Sequence, residues 1–179
     1  DGVVHEGLSE RLSSVFSAVD WNRVVLKYGK LQEEAFKEPG GNKLRKWIDD
    51  CPNQLYSALI FEGGEAFKKR VLDDIGDQSE ISKLINKRSD SEFLELMSNL
   101  GGHCISTLCE SFNKIKDDKP TAFIAYTIKG WGTPLAGHKD NHAGLMTKAQ
   151  MNEFKSKLEI SDGEEWNNFS DDKKYLNID

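Results

Sequence analysis

Residues 121–146 read TAFIAYTIKGWGTPLAGHKDNHAGLM. Thr121 to Ile128 form a nearly continuous apolar and β-favouring run, the best strand candidate in the chain. Such a run suits a parallel strand covered on both faces. The stretch from Thr127 to Met146 then changes character. It carries five glycine and proline punctuators, two histidines, two lysines and an aspartate. A loop this long and polar, hung on a buried strand, is rarely mere connection.

Ligands in open parallel sheets bind outside the carboxyl ends of the strands, which is where Lys129 falls. Its ammonium suits a phosphate or a carboxylate. Gly130 and Gly132 allow a close backbone approach or a positive φ. His138 and His142 are spaced i, i+4 with Asp140 and Asn141 between them. Histidine is the side chain best poised to move protons near neutral pH. The plainer alternative is a tight Gly-Trp-Gly turn that packs Trp131 on the core and leaves the histidines solvated. Two histidines at this spacing resemble half a zinc site, but no cysteine or third histidine is near in sequence. No GxxxxGK[ST] phosphate loop occurs.

Outward from the loop, Asn22 to Gly29 (NRVVLKYG) reads as a second, short strand. Gly7 to Val19 has helical spacing, with Leu8, Leu12, Val15, Phe16 and Val19 on one stripe. Short helices are expected over Leu31–Phe36, after an Asn42 N-cap, and over Asn53–Phe61. Glu65–Ile75 places Phe67, Val71 and Ile75 on one face. Serines that can cap open the next two helices, at Ser79 and Ser89. Ile105–Ile115 is amphipathic, and Thr147 is a plausible cap for a last helix. The apolar stripes are read as core and the opposite charged faces as solvated. The element order predicts an α/β fold, helix-rich, with a parallel sheet. Two strands alone do not make a covered parallel sheet, so part of the domain is expected to lie outside this chain. An opening at Asp1 without methionine fits the same reading, or a processed or engineered start. Residues 1–160 read as one domain and 161–179 as a polar tail or the start of a linker, with Trp166, Phe169 and Tyr175 as possible anchors.

The 179 residues are 37% hydrophobic and 30% charged, with a net charge of −6 and mean hydropathy −0.59. That balance, with no basic patch, argues against nucleic acid as a partner. No apolar stretch approaches the roughly 20 residues a membrane span needs, and no signal peptide is read. Cys51, Cys104 and Cys109 are odd in number and widely spaced, as reduced cytoplasmic thiols are. They read as packing residues, and no metal ligand is assigned in this chain.

The segment AYTIKGWGTPLAGHKDNHAGLM resembles the end of the cofactor-binding domain in thiamine-diphosphate enzymes of the transketolase superfamily. The similar pieces are Thr127-Ile128-Lys129-Gly130-Trp131-Gly132-Thr133-Pro134 and Ala136-Gly137-His138-Lys139-Asp140-Asn141-His142. LKYG, PNQLYSAL and NLGGH extend the likeness to the homodimeric type of pyruvate dehydrogenase decarboxylating component. The resemblance covers about Asp1 to Trp166.

The resemblance implies that the chain is the later half of a thiamine-diphosphate-binding domain. The parent enzyme would decarboxylate a 2-oxo acid, pyruvate first, and pass the two-carbon unit to the lipoyl group of an acyltransferase partner. It would work as a cytoplasmic homodimer with thiamine diphosphate and Mg2+. His142 matches the histidine that reaches the diphosphate and the substrate-derived intermediate, and Lys129 a lysine near the site. Both are candidate catalytic residues. Gly130, His138, Asp140, Asn141 and His142 would bind or close over the cofactor. The Gly-Asp-Gly metal motif of that superfamily does not occur here. The main metal ligands and the activating glutamate therefore lie elsewhere, and the chain alone is expected to be inactive. Where relatives read Gly-Gly-His-Asp, this chain has Gly101-Gly102-His103-Cys104, and His103 reads as structural. Transketolase- or phosphoketolase-type two-carbon transfer is the alternative chemistry, and a non-catalytic assembly module the alternative of another class.

Overall fold

Apolar residues recur at helical spacing from Lys30 to Ser98, and the core forms there. A computed structural model of the chain describes residues 7–76 and 79–166. The chain divides into two compact units, Asp1–Gly144 and Leu145–Asp179. The first holds α1 (Leu8–Ala18), β1 (Asn22–Leu26), α2 (Lys30–Phe36), α3 (Gly41–Asp50), α4 (Asn53–Glu62), α5 (Gly64–Ile75), α6 (Ser79–Asn86), α7 (Asp90–Ser98), α8 (Ile105–Asn113) and β2 (Thr121–Ala125). The second holds α9 (Lys148–Lys157), capped as expected by Thr147, whose side chain accepts from the Gln150 amide.

Helices α2 to α7 enclose the core. Phe67 and Val71 of α5 are fully buried, on the face their spacing predicts, while Ile75 is half-buried. The Phe67 ring meets Trp47, Tyr56 and Phe93 at centroid distances of 5.8, 5.2 and 6.0 Å. Ser89 starts α7 with a reciprocal capping box, its hydroxyl accepting from the Glu92 amide and its own amide donating to the Glu92 carboxylate. The cap expected at Ser79 rests on residues outside those described.

Three local expectations are corrected. Asn42 does not cap α3, because the helix begins two residues earlier than such a cap requires: Gly40 is the N-cap, Lys43 and Leu44 already donate to its carbonyl, and Asn42 sits inside the first turn. The apolar stripe of α1 is not core, since no residue of α1 is buried and Val15 is 61% exposed. Its described packing partners in the first unit are two five-residue strands, too little surface to cover it. Cys104 is buried and Cys51 half-buried, as packing residues are, but Cys109 is exposed.

β1 and β2 pair in parallel from Asn22↔Thr121 to Leu26↔Ala125. Two such strands with helices on either side make the chain a helix-rich α/β protein. β2 is not covered on both faces as expected: Ala122 is buried, but Phe123 and Ile124 are half-buried and Ala125 is exposed. Both strands also end sooner than their sequences suggest. Tyr126 still donates to Leu26 O at 2.9 Å. At and beyond this point the strand carbonyls accept from the segment after α7 instead of from the facing strand. Lys27 O accepts from the Gly101 amide at 3.0 Å and Tyr126 O from the Gly102 amide at 2.9 Å. Tyr28 and Leu100 form an antiparallel bridge. The strands part because Leu100–Gly102 takes their hydrogen bonds at the carboxyl ends.

Candidate functional site

At that parting the loop begins. Ile128 is 5% exposed and belongs to the helical core, so the chain is anchored just before Lys129. The Ile128 amide donates to His103 Nε2 at 2.7 Å. The His103 ring stacks on Trp131, with centroids 4.5 Å apart and planes 12° from parallel. Trp131 is half exposed and does not pack on the core as the plainer sequence reading supposed. Burial pushes the His103 pKa below its ordinary value.

From Lys129 to Gly144 the loop is a succession of short turns. Lys129 O accepts from the Gly137 amide at 3.0 Å and from Asn141 Nδ2 at 2.8 Å, which closes the loop upon its own start. Thr133 Oγ1 donates to Gly130 O at 2.7 Å. Gly137 is buried at φ 75°, with the Ser57 carbonyl of α4 where a Cβ would stand. His138 Nδ1 accepts from the Asp140 amide at 3.1 Å, and its ring meets Phe61 of α4 edge-on at 4.4 Å. The loop is therefore docked on α4 in two adjacent places.

The sequence-selected residues take different positions within this frame. Lys129 is half-buried, Gly130 is exposed at φ 73°, and Asn141 spends its amide on the Lys129 carbonyl. Asp140 is exposed, 3.3 Å from the Lys139 ammonium, and its carbonyl accepts from Ala143 and Gly144. His142 is exposed. The fold brings Lys129, Gly130 and Asn141 together, turns His138 toward α4, and leaves His142 at the surface.

A cavity of about 430 Å³ opens at the carboxyl end of β2. Leu8 and Leu12 of α1, Ile48, Tyr56 and Ile124 give it apolar walls, and Lys27, Asp49, Thr127 and Lys129 line it too. Of the sequence-selected residues, Lys129 alone lines it. Lys27 and Asp49 form an ion pair, and the Tyr28 hydroxyl donates to the same carboxylate. Burial works against both charges. For Asp49 it is outweighed by hydrogen bonds from Lys27 and Tyr28, which hold the carboxyl below its ordinary value. For Lys27 the bond to Asp49 holds the ammonium above its own. Tyr126 OH and Ser9 Oγ, 2.7 Å apart, tie α1 to the strand end. The sequence reading missed Lys27 and Asp49. Lys27 was findable, because it directly follows β1 as Lys129 follows the β2 run. Asp49 was not, since nothing local in α3 distinguishes it from Asp50.

Among the described residues no three His, Cys, Asp or Glu side chains are gathered so as to hold a metal ion. The described residues therefore gather no set of carboxylates that would hold magnesium. Lys129 is a cationic residue that lines the cavity at the end of the β2 run. No described helix is long and apolar enough to cross a membrane.

The molecule is thus of the α/β class in which a parallel pair ends at a polar loop and a cavity. Comparison with known proteins gives similarity to pyruvate dehydrogenase E1 components. That of Buchnera aphidicola subsp. Schizaphis graminum is 26% identical over 143 residues, which is 79% of this chain and 16% of the relative. That of Escherichia coli K12 is 24% identical over 142 residues, 78% of this chain and 15% of the relative. That of Corynebacterium glutamicum is 21% identical over 148 residues, 82% and 16%. The chain thus spans about a sixth of the length of the curated relatives it matches. No family model matches it.

Proposed function

We propose that this chain is part of a thiamine-diphosphate-dependent enzyme that decarboxylates a 2-oxo acid, pyruvate first, and passes the two-carbon unit to a lipoyl group on a partner acyltransferase. The observation that carries the reading is the position of Lys129. It follows the β2 run at the carboxyl end of a parallel pair, lines the cavity, and starts a loop closed on its own carbonyl. The similarity to pyruvate dehydrogenase E1 components supports the choice of 2-oxo acid chemistry over sugar-phosphate transfer.

In this reading thiamine diphosphate supplies the electron sink for decarboxylation when bound. Lys129 holds a negative group of cofactor or substrate at the strand end. Gly137 and Asn141 fix the Lys129 carbonyl, and Gly130, next in the chain at positive φ, makes the turn that follows. His142, exposed on the closed loop, is free to face an incoming ligand and to donate or take a proton. His138 and Asp140 hold the loop's shape, His138 through α4. The metal ligands come from outside the described residues.

The test is pyruvate-dependent acetyl transfer to a lipoyl acceptor by the natural polypeptide that carries this sequence, with thiamine diphosphate and Mg2+ supplied. Lys129→Ala and His142→Ala are each expected to lower kcat/KM by about 100-fold, as loss of a charge-stabilising or proton-transferring group does. Turnover of sugar phosphates in place of pyruvate would move the reading to two-carbon transfer. Absence of both activities would leave an assembly module.

A further inference from the structure

Gly101, Gly102 and His103 grip three successive points of the site. The Gly101 amide bonds Lys27 O, the Gly102 amide bonds Tyr126 O, and His103 Nε2 takes the Ile128 amide. Gly102 must be glycine, because a Cβ there would stand 2.5 Å from Thr127 Cγ2 and 2.6 Å from Tyr126 O. The tripeptide lies across the ends of both strands. Its last residue reaches furthest into the loop, with the ring stacked on Trp131.

Lys129 is therefore held from both sides by one side chain. The amide of the residue before it is bound by the imidazole, and the indole two residues after it lies on the same ring. The Lys129 carbonyl in turn receives both bonds that close the loop, from Gly137 and Asn141. A shift of Ile128 or Trp131 moves that carbonyl and loosens the turns leading to His142. His103 is not a helix cap. Cys104 occupies the N-cap position of α8 and makes no capping bond. The imidazole is committed to the loop.

We propose that His103 is a positioning residue: as a neutral imidazole protonated on Nδ1, it sets the backbone of Ile128–Trp131 and hence the presentation of Lys129 and the closed loop to a ligand. This rests on the reading of the loop as one wall of a ligand site. The acceptor role fixes the tautomer, because Nε2 can accept from Ile128 only if it carries no proton.

Two variants separate the ring from the acceptor. His103→Gln keeps an acceptor oxygen, whereas His103→Phe keeps a flat ring without one. Amide hydrogen exchange of the 179-residue chain should quicken about tenfold at Ile128 in His103→Phe and stay near wild type in His103→Gln, as loss or retention of one buried hydrogen bond predicts. The Asn141 side-chain amide resonance should move only in His103→Phe. Equal exchange in both variants would overturn the proposal. So would a wild-type nitrogen spectrum showing the proton on Nε2, a measurement that needs no variant to fold. In the natural polypeptide, His103→Phe should lower kcat/KM and His103→Gln restore it. If that polypeptide turns over no 2-oxo acid, the functional reading falls while the exchange and tautomer results still decide the role of His103.

Discussion

At the scale of single residues, two positions carry measurable consequences. Gly132 and Gly137 both have positive φ, 85° and 75°, but only Gly137 faces an obstacle. Gly132→Ala meets open space and should cost about 1 kcal/mol of backbone strain. Gly137→Ala bears that strain and drives a methyl against the Ser57 carbonyl, so a cost of about 3 kcal/mol is expected. Urea unfolding of the two variants checks this, and equal costs would mean that the loop does not dock on α4. His103 gives a pH signature. Its folded-state pKa lies below the ordinary value because of burial. As pH falls, the unfolded chain takes up the proton first. The His103 contribution to stability is therefore intact above the unfolded pKa of about 6.5 and is lost as pH falls below it toward the folded value. Asp49, and Glu38, where burial is outweighed by hydrogen bonds from Arg88 and Lys87, have lowered pKa values and lose their contributions in more acidic solution. Wild type should thus lose more melting temperature than His103→Gln between about pH 7.5 and pH 5.5. Parallel loss in the two proteins would remove the imidazole from the account.

At the scale of elements, caps and strand ends set the boundaries. The Ser89 capping box is complete, so Ser89→Ala should cost about 1 kcal/mol, read as a lower denaturant midpoint at unchanged slope. An unchanged midpoint would mean that the box adds nothing beyond solvent. The helices of the core were legible because their apolar residues recur at a period the sequence displays, as at Phe67 and Val71. The start of the loop was legible from composition. What the sequence hid is long-range. It could not reveal that Gly101–His103 returns to the strand ends, because the tripeptide carries no periodicity and its partners lie some 25 and 75 residues away in sequence. The true lengths of β1 and β2 were hidden for the same reason: apolar residues continue past the point where the ladder changes partner. Asn42 looks like a cap locally, yet the turn before it starts the helix sooner. Of the site, Lys129 and the loop were visible, whereas the partner of Lys27 in α3 and the docking of His138 on Phe61 were not.

At the scale of the whole described molecule, the buried core and the candidate site occupy different places in the first unit. Phe67, Phe93, Leu44 and Met97 are fully buried among α2–α7, whereas β1 and β2 are flanked by α1, none of whose residues is fully buried, and by α8, whose Phe112 is 55% exposed. The ring of Phe123 stacks on that exposed Phe112 at 4.3 Å. Removing Phe67 takes away the centre of an aromatic cluster and should cost about 3–5 kcal/mol. Removing Phe123 forfeits a half-solvated stack and should cost about 1 kcal/mol. Urea midpoints of Phe67→Ala and Phe123→Ala decide the matter. The stronger effect at Phe67 would mean that the helical part anchors Ile128, and through it the loop, while the strand pair opens more readily. Local opening of that kind is what a surface that must meet a ligand requires. A stronger effect at Phe123 would put the stabilising centre in the sheet instead. The loop would then be only as firm as the strands it leaves, and the anchoring of Lys129 through Ile128 and His103 would not account for its fixed position.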